Sequence, residues 1–170
     1  MLRPATEQDA EMVLRWRNHP DVREMSVNTD QILPSDHTIW WSQMLQDPNT
    51  HAVIYEIGGY PAGVVVFTGL AEPPPQWSFY LDVDGLEERG HKFQAWLRSE
   101  REVLDFAFGE LGLPELEGVV LGHNSAMRQL HARHGFVEVR TESVFQEGEL
   151  RHPEPVQLVT VRITPEARCR

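Results

Sequence analysis

The sequence is short of several things, and each shortage excludes a class of function. Cys169 is the single cysteine of 170 residues, so no internal disulfide is expected and a reducing, cytoplasmic setting fits. No His/Cys/Asp cluster has metal-ligand spacing, which argues against a metal centre. The start, "MLRPATEQDAEM", carries no apolar leader segment, and the longest apolar run, around "AGVVVF", is far too short to span a bilayer. A membrane role is not expected. Of fifteen basic residues only Lys92 is lysine, the kind of bias a GC-rich bacterial genome produces. There is no run of Lys/Arg and the net charge is −11, so the basic surface that nucleic-acid binding requires is missing. Repeats, linkers and low-complexity tracts are absent as well.

What is present reads as one globular domain over 1–170, because 41% hydrophobic and 24% charged residues support a core without staples at this length. "LRPAT" predicts a short strand. Thr6, with Asp9 three residues on, caps a helix that turns Met12, Val13, Leu14 and Trp16 inward and breaks at "NHPD". Residues 18–34 read as loop. A second helix is expected from Ser35 or Asp36 through "HTIWWSQMLQ", with Ile39, Trp40 and Met44 as its apolar stripe. Then "THAVIYEI", a Gly58-Gly59 turn and "YPAGVVVFTGL" give a hairpin signal. "QWSFYLDV" is a strand, and "DGLEERG" leads into a long helix ending at "FGELGL". "ELEGVVLG" is a further strand, and after one more helix "FVEVRTESVF" and "PVQLVTVRI" close the chain. The alternation implies a mixed sheet covered by helices, an α/β or α+β domain.

That last helix carries the most specific signal, in "GHNSAMRQLHARHGF". Asn124 is a good N-cap, Met127, Leu130, His131 and His134 recur on one face, and Gly135 suits a left-handed C′ position. An ordinary amphipathic helix explains the pattern equally well, so context decides.

The element order, with "LGHNSAMRQLHARHGFVEV" after the fifth strand, resembles the GNAT N-acetyltransferase superfamily, whose corresponding helix reads Asn-x-x-Ala/Ser and then Leu-Tyr/His-x-x-x-Gly-Phe. Asn124, Leu130, His131, Gly135 and Phe136 occupy those positions. "LRPATEQDAEMVLRWRNHPDVREMS" and the later "HTIWW" are similar to the branch that holds ribosomal-protein N-terminal acetyltransferases and acetyltransferases of nucleotide-linked amino sugars. The resemblance implies a GNAT fold, a mixed central sheet of about six to seven strands flanked by about four helices. It implies acetyl-CoA as co-substrate, no metal, and a small-molecule amine as acceptor, and it leaves a homodimer open. By the same resemblance the helix lines the acetyl-CoA cleft, Asn124 faces the cofactor arm and His131 points towards the thioester sulfur. Leu81, Val83 and the Arg89-Gly90-His91-Lys92 loop complete the expected cofactor contacts.

Acyl transfer from a thioester to an amine needs a neutral amine, a stabilised oxyanion and a proton for the departing thiolate. The proton donor of many relatives is a Tyr where His131 stands. Imidazole can donate too; packing beside Leu130 is the plainer role for the same residue. Where relatives carry a Glu that helps deprotonate the amine, this chain has Gln76, and an amide is no base. Ser78 and Tyr80 share its strand face by period-2 alternation and are placed to hold a relay water. The loss matters less for some amines than for others: at pH 7 an amine of pKa ~10.4 is neutral in about one molecule in 2,500, one of pKa ~7.7 in roughly one in six. A low-pKa amine is therefore the expected acceptor, first a nucleotide-linked amino sugar, then a protein α-amine or an aminoglycoside. The acidic surface would steer cations instead, which counts against the first of these.

The resemblance is weakest at the pyrophosphate loop, where the family pattern has glycines that let helix N-terminal N–H groups approach phosphate. Here Lys92 and Gln94 replace them. Either Arg89, His91 and Lys92 supply side-chain charge, or the site is weakened and the fold is a binding module without catalysis. On the acceptor side the branch implies Arg17, Asn18, Arg23, His37 and Trp40, pairing with phosphate or hydroxyls or stacking on a ring. Arg17 and Arg23 also read as plain salt-bridge partners, and Trp16 and Trp40 as core. Trp41, Trp77 and Trp96 read as packing residues.

Overall fold

The computed structural model describes residues 1–168, so Cys169 lies outside the described residues. Seven strands form one sheet: β1 (Leu2–Pro4), β2 (Thr50–Ile57), β3 (Tyr60–Thr68), β4 (Gln76–Leu81), β5 (Leu116–Leu121), β6 (Val137–Val144) and β7 (Val156–Ile163), in the order β1-β2-β3-β4-β5-β7-β6. Neighbouring strands run antiparallel except β4 and β5, which are parallel. The helices are α1 (Ala10–Arg17), α2 (Pro20–Glu24), α3 (Pro34–Gln46), α4 (Val83–Glu88), α5 (Lys92–Asp105) and α6 (Ser125–His134). This is the mixed sheet covered by helices that the sequence implies, with six helices among the described residues rather than about four. No helix among the described residues is long and apolar enough to cross a membrane.

The short apolar run that is too brief for a bilayer has a structural cause. Alternate residues of β2 and β3 serve two cores. Ala52, Ile54, Val64 and Val66 pack against Val13 and Trp16 of α1 and Trp41 and Met44 of α3. Val53, Val65 and Phe67 face the other way, with Val103 and Leu104 of α5, Phe136, and Val159 and Val161 of β7. A strand buried on both faces reads as a continuous hydrophobic stretch rather than an alternating one. The N-terminus is tied in by charge. Arg3 reaches Asp9 at 2.7 and 2.9 Å and Glu56 at 2.8 Å, while Asp9 accepts the Thr6 N–H at 2.8 Å. The Arg3 guanidinium holds the Asp9 carboxyl below its ordinary range.

Four sequence expectations need correction. Residues 18–34 contain α2, because Pro20 stands at the first helical position, where its fixed φ and missing N–H favour a helix start; the His19 ring caps it, accepting the Asp21 N–H at 3.2 Å. The buried stripe of α3 is His37, Trp41 and Met44: Met44 is inward as expected, while Ile39 and Trp40 are exposed and His37 and Trp41 take their place. The helix begins at Pro34, again with proline in its first turn. The long helix from "DGLEERG" is two helices, α4 and α5, parted at Arg89-Gly90-His91, where Gly90 has φ +67°. Its end winds into a π-turn at Phe106–Glu110.

His37 is buried, stacked on Trp41 at 5.7 Å, and its Nε2 has no hydrogen-bond partner. Desolvation holds its pKa below the ordinary imidazole value. The unfolded chain therefore binds the proton first as pH falls below ~6.5, and the stability contributed by neutral His37 is lost on going further into acid. We expect the melting temperature of His37→Phe to fall less between pH 7 and 5 than that of the wild type. Equal slopes in a thermal denaturation series would contradict this.

Candidate active site

The site follows from one pairing that stops short. β4 is paired with β3 along its whole length, Gln76 to Leu81. It meets β5 only at Gln76↔Glu117 and Trp77↔Gly118. Past Trp77 the two parallel strands part, and the N–H and C=O groups of residues 78–81 on the β5 side lose their ladder. A cleft of about 530 Å³ opens between them, lined by Ser78, Phe79, Tyr80 and Leu81 of β4, Val119 and Val120 of β5, and Asn124, Met127 and His131 at α6. Arg17, Asp21, Val22 and Met25 close it from the α1–α2 side, and Val83 and Trp96 from the α4–α5 side. An unpaired strand edge inside an apolar groove accepts an extended, amide-bearing ligand much as it would another strand. The arm of acetyl-CoA has that chemistry.

α6 is held where it is by its two ends. The Asn124 Oδ1 accepts the Met127 N–H at 3.2 Å. Gly135 at φ +102° ends the helix, and the Phe136 N–H reaches back to the His131 carbonyl at 3.0 Å, a bond a residue with a Cβ would reach only under strain. Both caps are as the sequence predicts. Between them His131 is buried, its ring edge-on to Trp77 at 5.9 Å and against Phe136 at 5.0 Å. Its Nδ1 lies 2.8 Å from Oε1 of Glu100, a residue of α5 with no exposed surface.

The remaining expected residues divide. Tyr80 lines the cleft and packs towards the α1–α3 core; desolvation, eased slightly by Arg17, raises its phenol well above the ordinary value, so it stays protonated and can donate. Gln76 stands at the closed foot of the V, outside the cleft lining, with its Nε2 3.5 Å from Glu117. Glu117 itself is engaged by Arg162, the shorter contact 2.5 Å. Leu81 and Val83 line the cleft and also a neighbouring apolar hollow of about 420 Å³ with Leu86, Lys92, Phe93 and Trp96.

The loop expected to meet phosphate is turned partly inward. Arg89 pairs with Asp82 at 3.1 Å and lies over the Tyr60 ring at 5.3 Å. Lys92 pairs with Glu87 at 3.2 Å on the surface. His91 precedes α5, and its N–H goes to the Leu86 carbonyl at 2.8 Å. What the loop offers an anion is the start of α5, whose first-turn N–H groups at 92–94 have no carbonyl within the helix to bond.

Of the five acceptor-side residues, Arg17 lines the cleft. Asn18 instead clamps the following loop, donating to the Ile32 carbonyl at 2.9 Å and accepting the Ile32 N–H at 2.8 Å. Arg23 is buried, bonded to the Thr29 carbonyl and to Glu149, each at 2.8 Å. His37 is core and Trp40 is a surface ring on α3. Arg17 spends one N–H on the Asn28 carbonyl at 2.9 Å, while its Nη1 is enclosed and unpartnered. Burial holds its guanidinium below the ordinary value.

Glu100 escapes a reading of the sequence because "RSEREVLD" looks like a solvated helix face. Its signal is positional: Ala95, Val103, Leu104 and Ala107 form a buried stripe, and Glu100 falls on it.

Asn124→Ala removes the acceptor of the Met127 N–H and is expected to destabilise the protein by about 1 kcal/mol. Asn124→Asp keeps the acceptor and places negative charge at a helix N-terminus, where it is favourable. Chemical denaturation should therefore leave the Asp variant within a few tenths of wild type.

Comparison with known proteins bears on the fold and the family. The family model for the acetyltransferase (GNAT) domain matches residues 1–137. No curated protein matches the sequence. Among solved structures, the spermidine N-acetyltransferase of Vibrio cholerae, in complex with CoA and spermine, superposes with a TM-score of 0.80 at 13% identity, over 98% of this chain and 96% of that one. AAC(6')-Ib with ribostamycin and coenzyme A gives 0.76 at 15% identity, over 98% and 94%. A protein described as a phosphinothricin N-acetyltransferase gives 0.76 at 22% identity, over 96% and 97%. At such identities the likeness is one of fold, and the family model supplies the rest: the chain belongs to the GNAT acetyltransferase family.

Proposed function

We propose that this N-acetyltransferase moves the acetyl group of acetyl-CoA to a low-pKa primary amine whose molecule also carries an anionic group, as a nucleotide-linked amino sugar does. The observation that carries the reading is Arg17. It is a half-buried guanidinium in the wall of the same cleft as His131, bonded to the Asn28 carbonyl and paired with no carboxylate among the described residues. A cation in that state is short of a counter-charge, and a phosphate or carboxylate supplies one in a geometry Arg matches well.

The acetyl-CoA arm lies along the free edge of β4, its phosphates towards the start of α5. The amine enters from the α1–α2 side and attacks the thioester carbonyl directly. Tyr80, held protonated, is a donor beside the reacting groups, and His131 handles a proton. Gln76 takes no part as a base. An amine of low pKa needs little deprotonation, which matches the absence of a carboxylate there.

A second reading has its own observation. Asp21 lines the cleft and the chain carries a net charge of −11, so a polyamine or aminoglycoside would be drawn in by charge. The spermidine enzyme and AAC(6')-Ib share the fold with partners of those kinds. A module without catalysis is not favoured, since both His131 and an open cleft are present.

Steady-state acetylation of a panel separates these readings: a nucleotide-linked amino sugar, a peptide α-amine, spermine and ribostamycin. The amino sugar should give the highest kcat/KM, and Arg17→Gln should lower that value about 30- to 100-fold, the scale of a charge-assisted hydrogen bond. Arg17→Lys should retain part of it. Spermine or ribostamycin leading the panel, unaffected by Arg17→Gln, would overturn the proposal. Saturating acetyl-CoA at ~100 Kd should stabilise the wild type by about 2.7 kcal/mol; no thermal shift would remove acetyl-CoA as the co-substrate.

A further inference from the structure

We infer that Glu100 and His131 act as one proton-handling unit, in which Glu100 is the positioning residue and His131 Nε2 both receives the proton of the attacking amine and returns one to the thiolate. The inference rests on the acetyltransferase reading above and adds to it the base that Gln76 does not provide.

The geometry fixes the roles of the two ring nitrogens. Nδ1 is 2.8 Å from Glu100 Oε1, and donating its N–H to that carboxylate leaves Nε2 with its lone pair free. Nε2 makes no hydrogen bond, yet it is not among the enclosed, unpartnered polar atoms of the protein. With His131 lining the cleft, Nε2 is the nitrogen that meets a ligand. The rings packed on the imidazole, Trp77 of β4 and Phe136 after α6, are uncharged. The charged groups facing the same cleft from the α1–α2 side are Arg17 and Asp21.

Glu100 makes poor sense as a structural residue. It has no exposed surface, and its Oε2 is enclosed without a partner. A carboxylate taken out of water with half its acceptors idle is unfavourable, and an apolar side chain of similar size would serve the packing between α5 and α6 better. Its negative charge does serve a ring that becomes positive during turnover, by holding one tautomer and stabilising the imidazolium, the logic of the carboxylate in a hydrolase triad.

The step balances without another reactant. The amine nitrogen bonds to the thioester carbon while the carbonyl electron pair moves to oxygen, and the N–H proton passes to Nε2. The oxyanion then re-forms the carbonyl, the C–S bond breaks, and Nε2 gives its proton to the thiolate. An amide and free CoA leave, and His131 is neutral again.

The test uses the full chain. Nitrogen-15 NMR of wild-type His131 at pH 8, without ligand, should show the proton on Nδ1 and Nε2 bare. The opposite tautomer overturns the inference without any variant. Glu100→Gln keeps the shape and a carbonyl acceptor but loses the charge. With acetyl-CoA and the best amine of the panel, its kcat should fall at least ten-fold and the acid limb of its kcat/KM profile should move to lower pH. KM for acetyl-CoA should hold and the melting temperature should hold or rise, a combination that a purely structural role would not produce. A wild-type rate and pH profile in Glu100→Gln overturns the pair while leaving the acetyltransferase intact. No turnover by the wild type on any amine of the panel overturns the reading beneath it.

Discussion

A parallel strand pair that joins for two residues and then separates is the constraint on which the rest of this molecule depends. β4 and β5 are pinned at Trp77↔Gly118, where the glycine leaves room for the indole: a Cβ on Gly118 would lie 2.7 Å from the Trp77 Nε1. Had the ladder continued, Ser78–Leu81 would be an ordinary inner strand with its amides satisfied by β5. Because it does not, backbone hydrogen-bonding groups stand unpaired inside a largely apolar groove, an arrangement normally avoided unless a ligand completes it. The same Trp77 that marks the last paired residue also packs against His131 and Phe136, so the foot of the cleft and the His131 ring share one support.

The side chains of the candidate site are arranged around that support by helix ends rather than by loops. α6 is capped at both ends, which fixes the rotation that aims His131 at the cleft and at Glu100 together. α5 contributes twice, with free N–H groups at its start and Glu100 two turns in. On the α1–α2 side the chain is stiffened by bonds that look at first like recognition chemistry. Asn18 and Arg23 spend their polar groups on Ile32, Thr29 and Glu149, which leaves Arg17 with donors to spare. Such division of labour, with neighbours satisfied internally and one cation left short, is how a fold keeps a charge available in a half-dry site.

How much of this the sequence discloses depends on whether the information is local. The caps of α6 and the hairpin of β2 and β3 about the Gly58-Gly59 turn are each written in a few adjacent residues, and each is legible. α2 is misread because proline ends helices and also starts them, and a pattern of four residues does not say which. Two of the three residues expected on the stripe of α3 are misplaced because "IWW" offers adjacent candidates, and only the packing of Trp41 with Val13 and Ile54 selects between them. The Glu100–His131 contact joins residues 31 apart on separate helices, so no local rule reports it; a charged residue on a buried stripe is its sole trace. For Arg89 the residue type suits phosphate while the fold sends the side chain to Asp82 and Tyr60.

The acidic surface and the unpaired Arg17 act over different distances and so need not conflict. At physiological ionic strength a field from exposed carboxylates decays over ~8 Å, so an anionic acceptor meets repulsion only near the surface, and at the cleft mouth the carboxylates farther away than that contribute little of the −11 charge. Inside, Arg17 is desolvated, and its pairing with a phosphate or carboxylate is hardly screened. The surface therefore governs how often a ligand arrives, and the groove governs which one stays. A cationic amine meets the reverse order, drawn in by the surface and then set beside a guanidinium that repels it. Asp21 is left as the group to offset that repulsion. On the proposed reading, the balance between Asp21 and Arg17 in the cleft wall, rather than the overall charge, selects the acceptor.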